Sequence, residues 1–150
     1  KWAEQFIGND QNSEVFGEIV RQWGNKEAAS AWVDSLEPSQ GQQSAISAVY
    51  GFKGAKTPEK ALQEIQSMPP SPNKDFALNG FISGLAGKDG EAAVAWASEI
   101  TIPGMRESAM VRAAKQYYKQ DSSATQEWFV SSGLPVEAWY QISGVNPKID

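Results

Sequence analysis

The chain has 150 residues, of which 13 are basic and 18 acidic, so its formal net charge is −5, and 41% of its residues are hydrophobic. This length and composition predict one globular domain rather than a disordered tail. Histidine and cysteine are absent, which excludes serine–histidine and cysteine–histidine catalysis and zinc sites built from imidazole or thiolate ligands. We therefore predict a non-enzymatic protein with no metal and no cofactor.

Charge and hydropathy also bear on the partners. An acidic chain with dispersed cations is a poor electrostatic match for nucleic acid, so no nucleic-acid partner is expected. The longest charge-free stretches, such as 76–87, are well short of the roughly 20 apolar residues that cross a bilayer. Membrane insertion of this segment is not expected either.

Apolar residues recur at helical spacing along the whole chain, as Phe16, Ile19, Val20 and Trp23 do near its start. Short proline- and glycine-containing loops separate these runs. The predicted elements, in chain order, are a partial helix over 2–7 and nine helices over 14–23, 26–36, 43–53, 58–67, 74–86, 90–100, 104–120, 122–131 and 136–143.

The helix starts repeat every 32 residues. At this interval stand four residues of the type that caps a helix N-terminus by accepting a hydrogen bond from a free N–H: Asn25, Thr57, Asp89 and Asp121. Prolines also repeat at this interval and are expected in the loops between the two helices of each unit: Pro38 with Pro70, and Pro103 with Pro135.

Tryptophans keep the same interval. Trp32, Trp96 and Trp128 each lie seven residues after their caps, whereas Glu64 holds this position in the second unit, in which Leu62 and Ile65 supply the apolar face. A large side chain at a repeated position is typical of the contact between stacked units. We therefore interpret these indoles as structural rather than as platforms for sugar stacking.

Pairs of short amphipathic helices bury their apolar faces by stacking on one another. Small residues at Ala45, Ala77 and Ala109, and at Ala48 and Gly80, would let adjacent helices approach closely. The predicted fold is all-α, a right-handed α-α superhelix of about four helical hairpins. It forms a single helical-repeat domain over 1–150, with units at approximately 1–24, 25–56, 57–88, 89–120 and 121–150.

This unit resembles the helical hairpins of tetratricopeptide and HEAT repeat proteins, although the Gly–Tyr spacing of the tetratricopeptide consensus is missing. Segments 89–96 and 106–111 look more like a family of uncharacterised bacterial proteins, in which a cap-Pro-Glu-Ala-Ala motif precedes a tryptophan in tandem units of similar length. The resemblance implies the fold. It also implies an exported or periplasmic bacterial protein. Because Lys1-Trp2 is not an initiator sequence, the chain is expected to be a fragment of a longer protein.

Polar residues opposite the apolar face of the second helix in each unit are the candidate binding residues. In stacked hairpins these helices line one continuous, curved surface that binds extended partners. A cationic cluster there would attract an acidic peptide, and tyrosine is a common interface anchor. The candidates are Tyr50, Asn79, Ser83, Arg112, Lys115 and Lys119.

Two functions remain open, besides a spacer role in which the function lies in neighbouring units. The first is a protein–protein interaction or scaffold module with a protein or peptide partner. The alternative is a carbohydrate-binding or carbohydrate-cleaving helical domain that uses tryptophan stacking and a pair of carboxylates. The candidate carboxylates for that alternative are Glu99, Glu107, Glu127 and Glu137.

Overall fold

The structure, a computed structural model, describes residues 13–145. Within this range the chain is all-α: nine helices pack together and no strand is present. The helices are α1 (Ser13–Gln22), α2 (Lys26–Asp34), α3 (Gln40–Lys56), α4 (Pro58–Gln66), α5 (Pro72–Leu85), α6 (Gly90–Ala97), α7 (Pro103–Gln120), α8 (Ser122–Ser131) and α9 (Val136–Ser143).

The nine helices predicted over these residues are confirmed, and every boundary agrees to within three residues. The predicted partial helix over 2–7 lies outside the described residues. Of the helices in residues 13–145, none combines the length and apolar character that a bilayer crossing needs.

Three of the four predicted N-caps are confirmed. The side chains of Asn25, Asp89 and Asp121 each accept a 2.9 Å hydrogen bond from the N–H three residues later. The prediction for Thr57 is wrong: it precedes α4, but its side chain accepts no capping hydrogen bond. Its hydroxyl donates instead to the carbonyl of Lys53, 3.5 Å away at the end of α3.

The loop prediction for the prolines also needs one correction, since Pro103 is the first residue of α7 rather than a loop residue. Proline is well tolerated there because its missing N–H would have no intrahelical partner. Two caps were not predicted: the hydroxyls of Ser39 and Ser71 accept from the N–H groups of Gln42 and Lys74 at the starts of α3 and α5.

Alternate helices pack against one another in chain order. Helix α1 contacts α3, α3 contacts α5, α5 contacts α7, and α7 contacts α9. Of these contacts, that between α3 and α5 is the most extensive, whereas α7 contacts α6 more than it contacts α5. Helices α2, α4, α6 and α8 pack beside the longer helices that adjoin them in sequence.

Glycines account for the extensive contact between α3 and α5. A Cβ atom on Gly80 would lie 1.9 Å from the carbonyl oxygen of Ser47, and one on Gly84 would lie 2.1 Å from that of Gly51. The two backbones therefore touch. The predicted close approach at Gly80 is confirmed, and Ala45, Ala77 and Ala109 are fully buried.

The three repeated tryptophans all pack against the core, and each is half-buried. Trp32 stacks on Phe16, with ring centroids 5.6 Å apart and an interplanar angle of 7°. It also contacts Trp23, at a centroid distance of 5.4 Å. These contacts agree with a structural role for the indoles.

Polar side chains link the ends of the longer helices between units. The ammonium group of Lys88 donates to the carbonyl of Ala55 at the end of α3. The side-chain amide of Gln120 donates to the carbonyl of Ala86 and accepts from the N–H of Gly90, both at 2.8 Å. Lys88 and Gln120 occupy equivalent positions of the 32-residue repeat. In two successive units, therefore, the side chain at this position binds a backbone carbonyl of the preceding unit.

Candidate interaction surface

The structure brings together three of the predicted binding residues. The guanidinium of Arg112 on α7 donates to the side-chain oxygen of Asn79 on α5 at 2.6 Å and to its carbonyl oxygen at 3.4 Å. The Ser83 hydroxyl donates to the same carbonyl at 3.1 Å. Burial lowers the pKa of Arg112, but the side chain keeps an exposed part.

The other predicted residues are placed differently. Lys115 and Lys119 are exposed on α7. Lys115 and Arg112 line a groove between α7 and α9 with a volume of about 610 Å³. Tyr50 lies apart from this set, because it is buried, with 8% of its surface exposed, and its hydroxyl donates to Glu64 on α4. It does not extend the exposed surface.

Asn79 and Ser83 line a trough on the face formed by α1, α3 and α5. Two depressions of about 430 and 410 Å³ share Arg21 and Ser47, and together they are here called the α3–α5 trough. Side-chain amides and hydroxyls line its first half: Gln40, Gln43, Ser44 and Asn79. Small residues line its second half: Ala48, Gly51, Gly80 and Gly84.

The shape of the trough follows from the packing. Because α3 and α5 touch through glycines, no large side chain projects between them, and the surface above this contact is shallow. The sequence reasoning identified Asn79 and Ser83 but not the amides of Gln40 and Gln43. Their position on the polar side of α3 could have indicated them.

Cations near α1 are held by local partners. Arg21 donates to Glu18 at 3.0 Å, and hydrogen bonds from Gln22 and Arg21 lower the pKa of Glu18. The ammonium of Lys26 donates to the carbonyls of Val20 and Arg21 at 3.0 and 2.9 Å. It also lies 5.4 Å from the centre of the Phe52 ring.

Phe52 continues the helical spacing of apolar residues in α3, after Ala45 and Val49, but 38% of its surface is exposed. It lies beside Lys26 because a cation over an aromatic face is stabilised by the ring quadrupole. This pair lines one end of the α3–α5 trough.

A polar cluster between α3 and α4 was not predicted. Glu64 accepts from Lys53 at 2.7 Å and from the Tyr50 hydroxyl at 3.2 Å. Burial acts to raise the pKa of Glu64, but the hydrogen bond and charge of Lys53, together with the bond from Tyr50, outweigh it and lower that pKa. Burial and the neighbouring Glu64 raise the pKa of Tyr50. The sequence feature that could have indicated this cluster is Glu64, which stands in the second unit at the position where the other units have tryptophan.

The four candidate carboxylates of the carbohydrate alternative are all exposed. Glu107 and Glu137 line the groove between α7 and α9, but the described residues that line it include no aromatic side chain. Within residues 13–145, no group of three or more acidic side chains is arranged to hold a metal ion.

Comparison with protein-family models, curated proteins and solved structures gives no match for this chain. Inferences about its function therefore rest on its own residues and contacts.

Proposed function

We propose that the chain is a non-enzymatic interaction module that binds an extended segment of a partner protein along the α3–α5 trough. In this proposal the helices form a right-handed superhelix of about four hairpins, and the trough lies on the curved surface of their second helices. The observation that carries the proposal is that the two depressions share Arg21 and Ser47, which places Asn79 and Ser83 of α5 beside residues of α1 and α3.

The packing order supports the architecture. Each of α3, α5 and α7 contacts the two helices that flank it in sequence, and it also contacts the next helix beyond each of them. This succession is expected when two-helix units stack, because each unit buries its apolar face against its neighbours.

The chemistry of the trough suits a peptide. Side-chain amides both donate and accept hydrogen bonds, so Gln40, Gln43 and Asn79 match the alternating N–H and C=O groups of an extended backbone. The small residues of its second half leave room for such a segment at the surface. Arg112 and Lys115, near the α7 side, would attract acidic side chains of the partner.

The test is selection of binders from a random-peptide display library, followed by affinity measurement on two variants. Ser83→Trp places an indole in the trough. Ser123→Trp makes the same change at an exposed position of α8, away from the residues that line it. We expect selected peptides to be rich in acidic residues and to lose most of their affinity for Ser83→Trp, but not for Ser123→Trp.

The proposal is wrong if no peptide is enriched above background. It is also wrong if the selected peptides bind Ser83→Trp as tightly as they bind the native chain, since their site would then lie elsewhere.

A further inference from the structure

A further depression, which the proposed function does not use as a binding site, lies where α2, α3 and α4 meet and shares Val20, Lys26 and Phe52 with the α3–α5 trough. Its volume is about 420 Å³, within the range of roughly 300–1,000 Å³ typical of small-molecule sites. Four of the 13 basic residues of the chain line it: Lys26, Lys53, Lys56 and Lys60. We call it the lysine pocket. Its apolar lining includes Val20, Ala29, Val49 and Phe52.

Two of these lysines are already engaged. Lys53 pairs with Glu64 at 2.7 Å, and Lys26 donates to carbonyls at the end of α1. Among the described residues, neither Lys56 nor Lys60 has a hydrogen-bond or ion-pair partner, and both are exposed. The charge of Lys60 acts on Glu64 at longer range, where it contributes to the lowered pKa of that carboxyl. Both ammonium groups are therefore free of direct contacts and open to a ligand.

Lys56 differs from the residues at its equivalent positions in the next two units. There, Lys88 and Gln120 donate to backbone carbonyls of the preceding unit. Within residues 13–145, Lys56 makes no such bond, and in the last turn of α1 it is Lys26 that binds carbonyls, those of Val20 and Arg21. Lys56 lines the pocket instead.

The charges of the pocket are unevenly distributed. Helix α3 ends at Lys56 and α4 begins at Pro58, so Lys56 and Lys60 stand on the two sides of the turn that joins these helices. Glu64 lies one turn after Lys60 on α4 and binds Lys53 and Tyr50. Asp34, at the end of α2, acts on the same cluster, since its charge contributes to the raised pKa of Tyr50. Glu27 also lines the pocket.

We infer that the lysine pocket binds a small amphipathic carboxylate. Its charged group would pair with Lys56 and Lys60, and its apolar body would lie on Val49, Phe52 and their neighbours. A small anion without an apolar part would leave the apolar lining uncovered. An uncharged apolar molecule would leave the two ammonium groups unpaired. A carboxylate with a short hydrocarbon chain satisfies both parts of the pocket.

The test is isothermal titration calorimetry with three probes: octanoate, octanol and inorganic phosphate. We expect octanoate to bind saturably with one molecule per chain. Octanol and inorganic phosphate are expected to bind at least about tenfold more weakly, because each satisfies only one part of the pocket.

Two pairs of variants locate the site. The double variant Lys56→Gln/Lys60→Gln should weaken octanoate binding by about tenfold. The control is the double variant Lys115→Gln/Lys119→Gln on α7, which loses the same charge and should change octanoate binding less than about twofold. Ala31→Trp fills the pocket and should abolish binding. Ala95→Trp is its control, at the equivalent exposed position of the repeat on α6.

The inference is overturned if octanol or inorganic phosphate binds as tightly as octanoate, or if no probe saturates. It is also overturned if the two double lysine variants weaken octanoate binding to the same extent, or if Ala31→Trp binds octanoate as tightly as the native chain does. None of these results depends on a peptide binding in the α3–α5 trough.

Discussion

Arg112 on α7 donates a 2.6 Å hydrogen bond to the side-chain oxygen of Asn79 on α5, and so links two helices that make less contact than α3 and α5 do. Arg112 occupies the position that Gly80 has in the preceding unit. Because its side chain cannot fit between touching backbones, α7 does not repeat the contact made by α5. The guanidinium bridges the two helices instead.

Replacing Arg112 should therefore destabilise the fold slightly. Arg112→Gln removes the bond to Asn79 and is expected to lower the free energy of unfolding by about 1 kcal/mol, the usual net value of a hydrogen bond at a partly exposed site. Urea denaturation measures this change. Lys115→Gln, at an exposed position one turn away, should have an effect smaller than about 0.5 kcal/mol. Equal effects of the two substitutions would show that the bridge contributes nothing.

Gly80→Ala should be strongly destabilising. The new methyl group would lie 1.9 Å from the carbonyl oxygen of Ser47, so α3 and α5 would have to separate. We expect a loss of at least about 2 kcal/mol, although alanine favours helix formation over glycine by up to about 1 kcal/mol. Thermal and urea unfolding would measure the loss.

The control for that prediction is Gly104→Ala in the first turn of α7, where a Cβ atom meets nothing within 4 Å. This variant should be as stable as the native chain or slightly more stable. A Gly80→Ala protein of native stability would contradict the backbone contact itself.

Asp75 is an acidic residue in the core, and we expect it to contribute strongly to the stability of the fold. It is buried, with 3% of its surface exposed, and it accepts from the N–H of Thr101 at 2.9 Å and from the Thr101 hydroxyl at 2.6 Å. Asp75→Ala removes both bonds and leaves the N–H without its partner, at an expected cost of about 3 kcal/mol. Thr101→Ala removes only the hydroxyl bond, at about 1 kcal/mol.

Glu107, which occupies the position of Asp75 in the next unit and is exposed, provides the matched control. Glu107→Ala should change the unfolding free energy by less than about 0.5 kcal/mol. If Asp75→Ala were equally mild, the pair with Thr101 would have no structural role.

The cluster around Glu64 predicts a pH dependence. The pKa of Glu64 is lower in the folded chain than its ordinary value of 4.5, so the folded state favours the charged carboxylate. Its contribution to stability is present above pH 4.5 and is lost as the pH falls through the lowered folded pKa. Native chain and Glu64→Gln should therefore differ in stability at neutral pH and converge in strong acid, as measured by urea denaturation at several pH values. A difference that does not vary with pH would refute this linkage.

The 32-residue repeat helped to predict the helices accurately because its capping residues mark where helices begin. Asn25, Asp89 and Asp121 bind N–H groups only three residues away, so the signal is contained in a few consecutive residues. The capping prediction fails at Thr57. Its residue type suits a cap, but in the structure its hydroxyl lies against the carbonyl of Lys53 on the preceding helix.

The candidate site was predicted only in part. The polar face of α5 indicated Asn79 and Ser83, and that of α7 indicated Arg112. Tyr50 was placed with them because tyrosine is common at interfaces, yet it is buried beside Glu64. This position of the repeat faces the core, since its equivalents Ile82 and Ala114 are fully buried as well. The apolar side chains at these equivalents could have indicated the burial of Tyr50.

The amino-acid sequence by itself determined where the helices begin and end and which side of each is apolar, because capping and helical periodicity act within one or two turns. The repeat of small residues also predicted the close approach at Gly80. Only the tertiary structure decided that Gly84 adds a second backbone contact between α3 and α5, and that Arg112 bridges the less extensive contact between α5 and α7. Only there do the α3–α5 trough and the lysine pocket emerge. The reason is physical: how closely two helices approach depends on the volumes of side chains that face each other across a unit boundary, and those side chains are about 32 residues apart in the chain.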